Sequence, residues 1–118
     1  MLDLSKIPVL ELPSENFEFE FLGTQQKVKV TAADDEAFLD VADIKENAMY
    51  EAKIRRYFLK RCTDLSDKDI DLLMSKDGKA VSEILSRIFK LSDAFTAEQK
   101  RLREEAKKKS TPSPNTVN

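Results

Sequence analysis

The sequence predicts a mostly α-helical domain carrying a small N-terminal β-hairpin, an α+β fold with about four helices packed on the hairpin. Three observations predict it. FEFEFL (17–22) and KVKVT (27–31) alternate apolar and charged residues with the period of a strand. Between residues 33 and 111 there is one glycine and no proline. Through that stretch apolar residues recur at helical spacing.

Residues 1–16 read as an extended lead, because Pro8 and Pro13 lack a backbone donor and bias their predecessors away from helix. Val9, Leu10 and Leu12 are placed to lie along the core edge. In the first strand Phe17, Phe19 and Phe21 share one face and Glu18 and Glu20 the other. In the second, Val28 and Val30 oppose Lys27 and Lys29. Taking Gly23–Gln26 as the loop sets Phe21 against Val28, Phe19 against Val30 and Glu20 against Lys29. A one-residue slip would set Phe against Lys, so the phase is well specified. Two strands alone are marginal in water, so the Phe/Val face requires a helix over it.

Asp34, Asp35 and Glu36 give an acidic helix start, and residues 34–62 read as one long helix or two joined near Lys45-Glu46-Asn47. Ser66 is an N-cap with Asp69 three residues on, and Leu65 and Ile70 form a hydrophobic staple. Asp77-Gly78 interrupts. A helix from about 79 to 91 follows, with Val81, Ile84, Leu85, Ile88 and Phe89 facing the core. Thr96 with Gln99 reads as the cap of a last, exposed helix whose only large apolar residue is Leu102. The domain is expected over 17–109, with 110–118 a polar, proline-containing disordered tail.

Composition points to binding in place of catalysis. The chain has no histidine, no tryptophan, one cysteine and two glycines. It thus lacks an imidazole base, a cysteine–histidine metal set and a glycine-rich phosphate cradle. No catalytic, cofactor or metal residues are expected. Cys62 can form no intrachain disulfide, and a half-buried place late in a helix is the expectation for it. Asp67, Asp69 and Asp71 alternate as in a calcium loop, but the glycine and terminal glutamate of that loop are missing, so they read as helix-start acids. No apolar run approaches the ~20 residues that span a bilayer. The N-terminal MLDLSKIPVLELP lacks the pattern of a secretory signal, so the expected location is the cytoplasm and no membrane partner is foreseen.

Charge is unevenly placed. Residues 1–50 hold 11 acids and 4 bases, and residues 51–118 hold 11 acids and 16 bases, so the halves carry −7 and +5. That polarity suits a homo-oligomer in which unlike halves meet, as well as a plain solvated surface. The partner-binding residues expected from the pattern are Met49, Lys53, Arg56, Tyr57 and Lys60, with Arg55 and Arg61 beside them. Basic residues interleaved with aromatics also suit phosphates, but a pI near 5.3 argues against a nucleic-acid domain.

The order of elements, FEFEFLGTQQKVKV, a long helix, LSDKDIDLLMSKDGKAVSEILSRIF, then a charged helix and short polar tail, resembles the tail assembly chaperones of long-tailed (siphovirus-type) bacteriophages over about residues 15–105. The resemblance implies a small helical protein of the host cytoplasm with no enzymatic activity. It implies binding to the tape measure protein, which is kept soluble while the tail tube protein polymerises around it. Two alternatives remain at this point: a small DNA-associated regulatory protein using Lys53, Arg55, Arg56, Lys60 and Arg61, and a structural head-tail or tail component retained in the virion.

Overall fold

The computed structural model describes residues 11–44 and 50–110. Its elements run β1 (Ser14–Phe21), β2 (Thr24–Thr31), α1 (Asp35–Ala42), α2 (Tyr50–Cys62), α3 (Asp67–Lys76) and α4 (Gly78–Ser110). The α+β class, the N-terminal hairpin and the count of four helices among the described residues agree with the sequence. The placements of Val9 and Leu10, the junction at Lys45-Glu46-Asn47 and the tail beyond Ser110 lie outside the described residues. α1 ends at Ala42, where the Asp43 N–H donates to the Asp40 carbonyl and the Ile44 N–H to the Val41 carbonyl, so α1 and α2 are separate helices.

The hairpin keeps its predicted faces but not its predicted register. The turn is Leu22-Gly23, both at positive φ (49° and 86°), the conformation of a two-residue turn whose twist matches that of the strands. Thr24–Gln26 therefore belongs to β2. Phe21 pairs with Thr24, Phe19 with Gln26, Phe17 with Val28 and Glu15 with Val30. On the polar face Glu18, and not Glu20, opposes a lysine, Lys27. The shift preserves side-chain phase, since it moves each residue by an even number of positions.

α4 lies across the Phe/Val face. Its Val81, Ile84, Leu85 and Ile88 join Phe19, Val28 and Val30 in one core with Phe58, Leu59 and Cys62 of α2 and Ile70 and Leu73 of α3. α3 starts as predicted, with the Ser66 hydroxyl accepting from the Asp69 N–H. Asp77 then caps α4: its Oδ1 accepts from the Ala80 N–H at 3.1 Å, while Oδ2 accepts from the Leu22 N–H at 3.2 Å and ties the turn to the helix start.

α4 is one helix of 33 residues, not two. Thr96 caps nothing, because no glycine or proline stops the helix before it and residues 92–95 stay helical. At 1.5 Å per residue it is about 50 Å long. Ser92 holds its middle to the sheet end: its hydroxyl accepts from the Ala33 N–H and donates to the Ile88 carbonyl, each at 2.8 Å.

Two tests follow from this packing. Phe19→Asp should cost at least ~3 kcal/mol in thermal or urea melts, whereas Glu20→Lys, with Gln25 opposite, should cost less than ~0.5 kcal/mol. Leu22→Asn should stabilise the chain by about 0.5–1 kcal/mol, because leucine tolerates left-handed φ poorly and asparagine accepts it. A neutral result would mean that Leu22 contacts compensate the strain.

Candidate partner-binding surfaces

α2 carries the basic residues at intervals that put Lys53, Arg56 and Lys60 along one side, with Tyr57 adjacent. Met49 lies outside the described residues. Lys53 is exposed and forms no ion pair among the described residues. The other three are engaged within the chain. Arg56 Nη1 lies 2.5 Å from Asp71 Oδ1, and Lys60 Nζ lies 2.9 Å from Asp67 Oδ1. Tyr57 Oη donates to Asp40 Oδ2 at 2.6 Å. The structure therefore spreads these residues between α1 and α3 and does not gather them into one open site.

The α3 pairs have a signal in the sequence. Arg56 and Lys60 are four apart, as are Asp67 and Asp71, and two helices joined by a short reversal bring such pairs into register. Asp67 is both a helix-start acid and a counter-ion. All four side chains are largely exposed, so each pair contributes only ~0–1 kcal/mol.

Arg61 is the best-supported charge. Nη2 lies 3.2 Å from Asp34 Oδ1 and 3.2 Å from Glu36 Oε1, and Nη1 lies 3.5 Å from Asp40 Oδ2. Nη1 also donates to Tyr57 Oη at 3.0 Å. Asp34 meanwhile caps α1, accepting from the Ala37 N–H. Burial opposes the Arg61 charge, but the Glu36 hydrogen bond and the Asp34 charge outweigh it and hold the guanidinium above its usual range. Burial, then the bond to Asp40, raises the Tyr57 phenol. This cluster fastens α1 to α2.

Nucleophilic chemistry finds little here. Cys62 is 2% exposed at the end of α2, and burial pushes its thiol up to about 11. Among the described residues no group of three or more Cys, Asp or Glu is placed to hold a metal ion. No described helix is long and apolar enough to cross a membrane.

The open apolar surface lies elsewhere. On α1, Phe38 is 45% and Leu39 68% exposed. The Phe38 ring sits 5.7 Å from Phe58 and 6.4 Å from Phe89, so it is anchored on one side and wet on the other. Leu12 and Phe95 each line two neighbouring grooves. One, of about 530 Å³, also takes Pro13, Leu91 and Ala94 with Glu11 and Glu98; the other, of about 390 Å³, takes Ala33, Phe38 and Thr96 together with the carboxylates Asp34, Asp35 and Glu36. From Asp93 to Lys108 no residue of α4 is fully buried. Leu91, Phe95 and Leu102 follow one line along that half of the helix. Treating Thr96 as a helix start hid this continuity in the sequence.

Cys62 should resist a disulfide reagent at pH 8 in the native state and react fully once the chain is unfolded in urea. Fast labelling without denaturant would show that the end of α2 opens readily. No family model, curated protein or solved structure matches this chain.

Proposed function

We propose that this chain is a tail assembly chaperone of a long-tailed bacteriophage, a non-enzymatic protein that binds the tape measure protein in the host cytoplasm and keeps it soluble during tail tube polymerisation. The observation that carries the reading is the α4 half beyond Ser92. It continues a line of apolar side chains, Leu91, Phe95 and Leu102, away from the core, and Phe95 shares a groove with the exposed Phe38. A long amphipathic helix is a natural occupant for such a surface, because its i, i+3 and i+4 anchors match the spacing of a helical groove. The surrounding surface is highly charged, which keeps a complex dispersed. The arrangement of elements that resembles the tail chaperones supplies the identity of the client.

The DNA-associated alternative has less support. Arg56, Lys60 and Arg61, three of its five phosphate contacts, are engaged with carboxylates of the same chain. A structural tail component is distinguished by mass spectrometry of purified particles, from which a chaperone should be absent.

Co-expression with the phage's tape measure protein should move that protein into the soluble fraction and give a complex on size-exclusion chromatography. Phe95→Glu with Leu102→Glu should abolish the complex while changing the stability of the free chain by no more than about 1 kcal/mol, since neither side is fully buried. A client that stays insoluble with the wild-type chain sinks the chaperone reading. A complex untouched by the double substitution moves the client off α4.

A further inference from the structure

We infer that the outer edge of β1 receives an extended protein segment of alternating basic and apolar residues, which adds a third strand to the sheet. The backbone shows which groups are available. Lys29 donates its N–H to Asp64 Oδ1 at 3.1 Å, and its carbonyl accepts from the Asp64 N–H at 3.3 Å, so both its backbone groups point away from β1. Lys29 pairs with Asn16, and outward-pointing groups alternate along an antiparallel ladder. Asn16, Glu18 and Glu20 therefore point their N–H and carbonyl groups outward from β1. The same alternation places Pro13 and Ala32 in a bonded pair, and the Ala32 N–H does donate to the Pro13 carbonyl at 2.9 Å.

The two edges are finished differently. On the β2 side, Thr63 bridges to Val30 and Asp64 takes the groups of Lys29. On the β1 side, no described residue takes the backbone groups of Asn16, Glu18 or Glu20. β1 is 8 residues long, with no proline or bulge inside it. Such an edge is a template for a further strand.

Charge selects the occupant. Glu18 and Glu20 stand on the polar face, exposed and without an ion pair among the described residues. An added strand would set alternate side chains beside them, where lysine or arginine is favoured. Its intervening side chains would extend the Phe17/Phe19/Phe21 layer, of which Phe17 and Phe21 are only half-buried. Apolar residues fit there. A second copy's β1 aligned Glu18 on Glu18 would bring glutamate against glutamate, and its β2 edge is already closed at Lys29. Asn16, Glu18 and Glu20 line neither of the two α4 grooves, and the inference does not depend on the chaperone reading.

The probe is a short capped peptide of alternating lysine and valine, added to the full chain and followed by backbone amide exchange. It should protect the amides of Asn16, Glu18 and Glu20, and it should bind about fivefold or more tighter than a glutamate–valine peptide. Glu18→Pro removes one outward N–H but no ladder bond, so the melt should change little while binding is lost. Because proline can disturb folding, the Glu18→Lys, Glu20→Lys double variant is the second test. It retains every N–H and should reverse the preference toward the glutamate–valine peptide. The inference is overturned if no peptide protects the edge or if the double variant keeps the original preference. Edge amides already protected in the free chain would show that the chain covers its own edge. Protection that grows with protein concentration would make a second copy the occupant. Either result also overturns it.

Discussion

A two-stranded sheet with one apolar face has no sheet partner to cover it, and the whole fold is arranged around that constraint. Phe19, Val28 and Val30 are buried only because α4 crosses them with Val81, Ile84, Leu85 and Ile88. That crossing fixes where the other helices can go. α2 and α3 pack their own apolar sides, Phe58, Leu59, Ile70 and Leu73, into what remains of the same layer. The burial is non-directional and would tolerate small slips of helix on sheet. Directional bonds remove that freedom.

Those bonds share a design. Three points where hairpin backbone would otherwise be left unpaired are met by side chains from the helical part. Asp77 takes the Leu22 N–H at the turn, Asp64 takes the Lys29 N–H at mid-strand, and Ser92 takes the Ala33 N–H at the exit. Asp77 and Ser92 lie at the start and middle of α4, so the helix is held to the hairpin at two distant places. Hydrogen bonds contribute ~1 kcal/mol each when made and cost more when a buried partner is lost, so their value here lies mainly in fixing geometry. The β1 edge is outside this scheme, and it is there that Glu18 and Glu20 stand without an ion pair among the described residues.

Legibility in the sequence followed the range of the signal. Alternation over FEFEFL and KVKV gave the strands and their faces, and Ser66 with Asp69 gave the start of α3, because each involves neighbours in the chain. The register escaped because it hangs on the turn. Leu22 in a left-handed conformation is not the asparagine or aspartate that usually marks a two-residue turn. Thr96 does not split α4, because a cap residue starts a new helix only where the chain before it has stopped being helical. Of the expected binding residues, Arg56, Tyr57 and Lys60 proved to be bonded to α1 and α3, a consequence of helix pairing that no local pattern reveals. The exposed Phe38 and Leu39 were equally hidden, since a helical stripe looks the same whether another element covers it or not.

The charge asymmetry of the sequence takes on a different meaning once these contacts are known. Asp34, Glu36 and Asp40 of the acidic half converge on Arg61 of the basic half, and Glu15 meets Arg87 at 2.5 Å beneath the Phe17 ring. Opposite charges that could have drawn separate copies together are in part joined within one chain. What charge does between molecules must then come from groups left over, such as Glu18 and Glu20 on the hairpin and Lys53 on α2. These are exposed, so salt screens them strongly. Apolar surface is not screened in this way, and the half-exposed line from Leu91 to Leu102 together with Phe38 and Leu39 is the larger resource for holding a partner. Together the two proposals assign affinity to apolar contacts on the helical side and the choice of an extended segment to charge at the sheet edge.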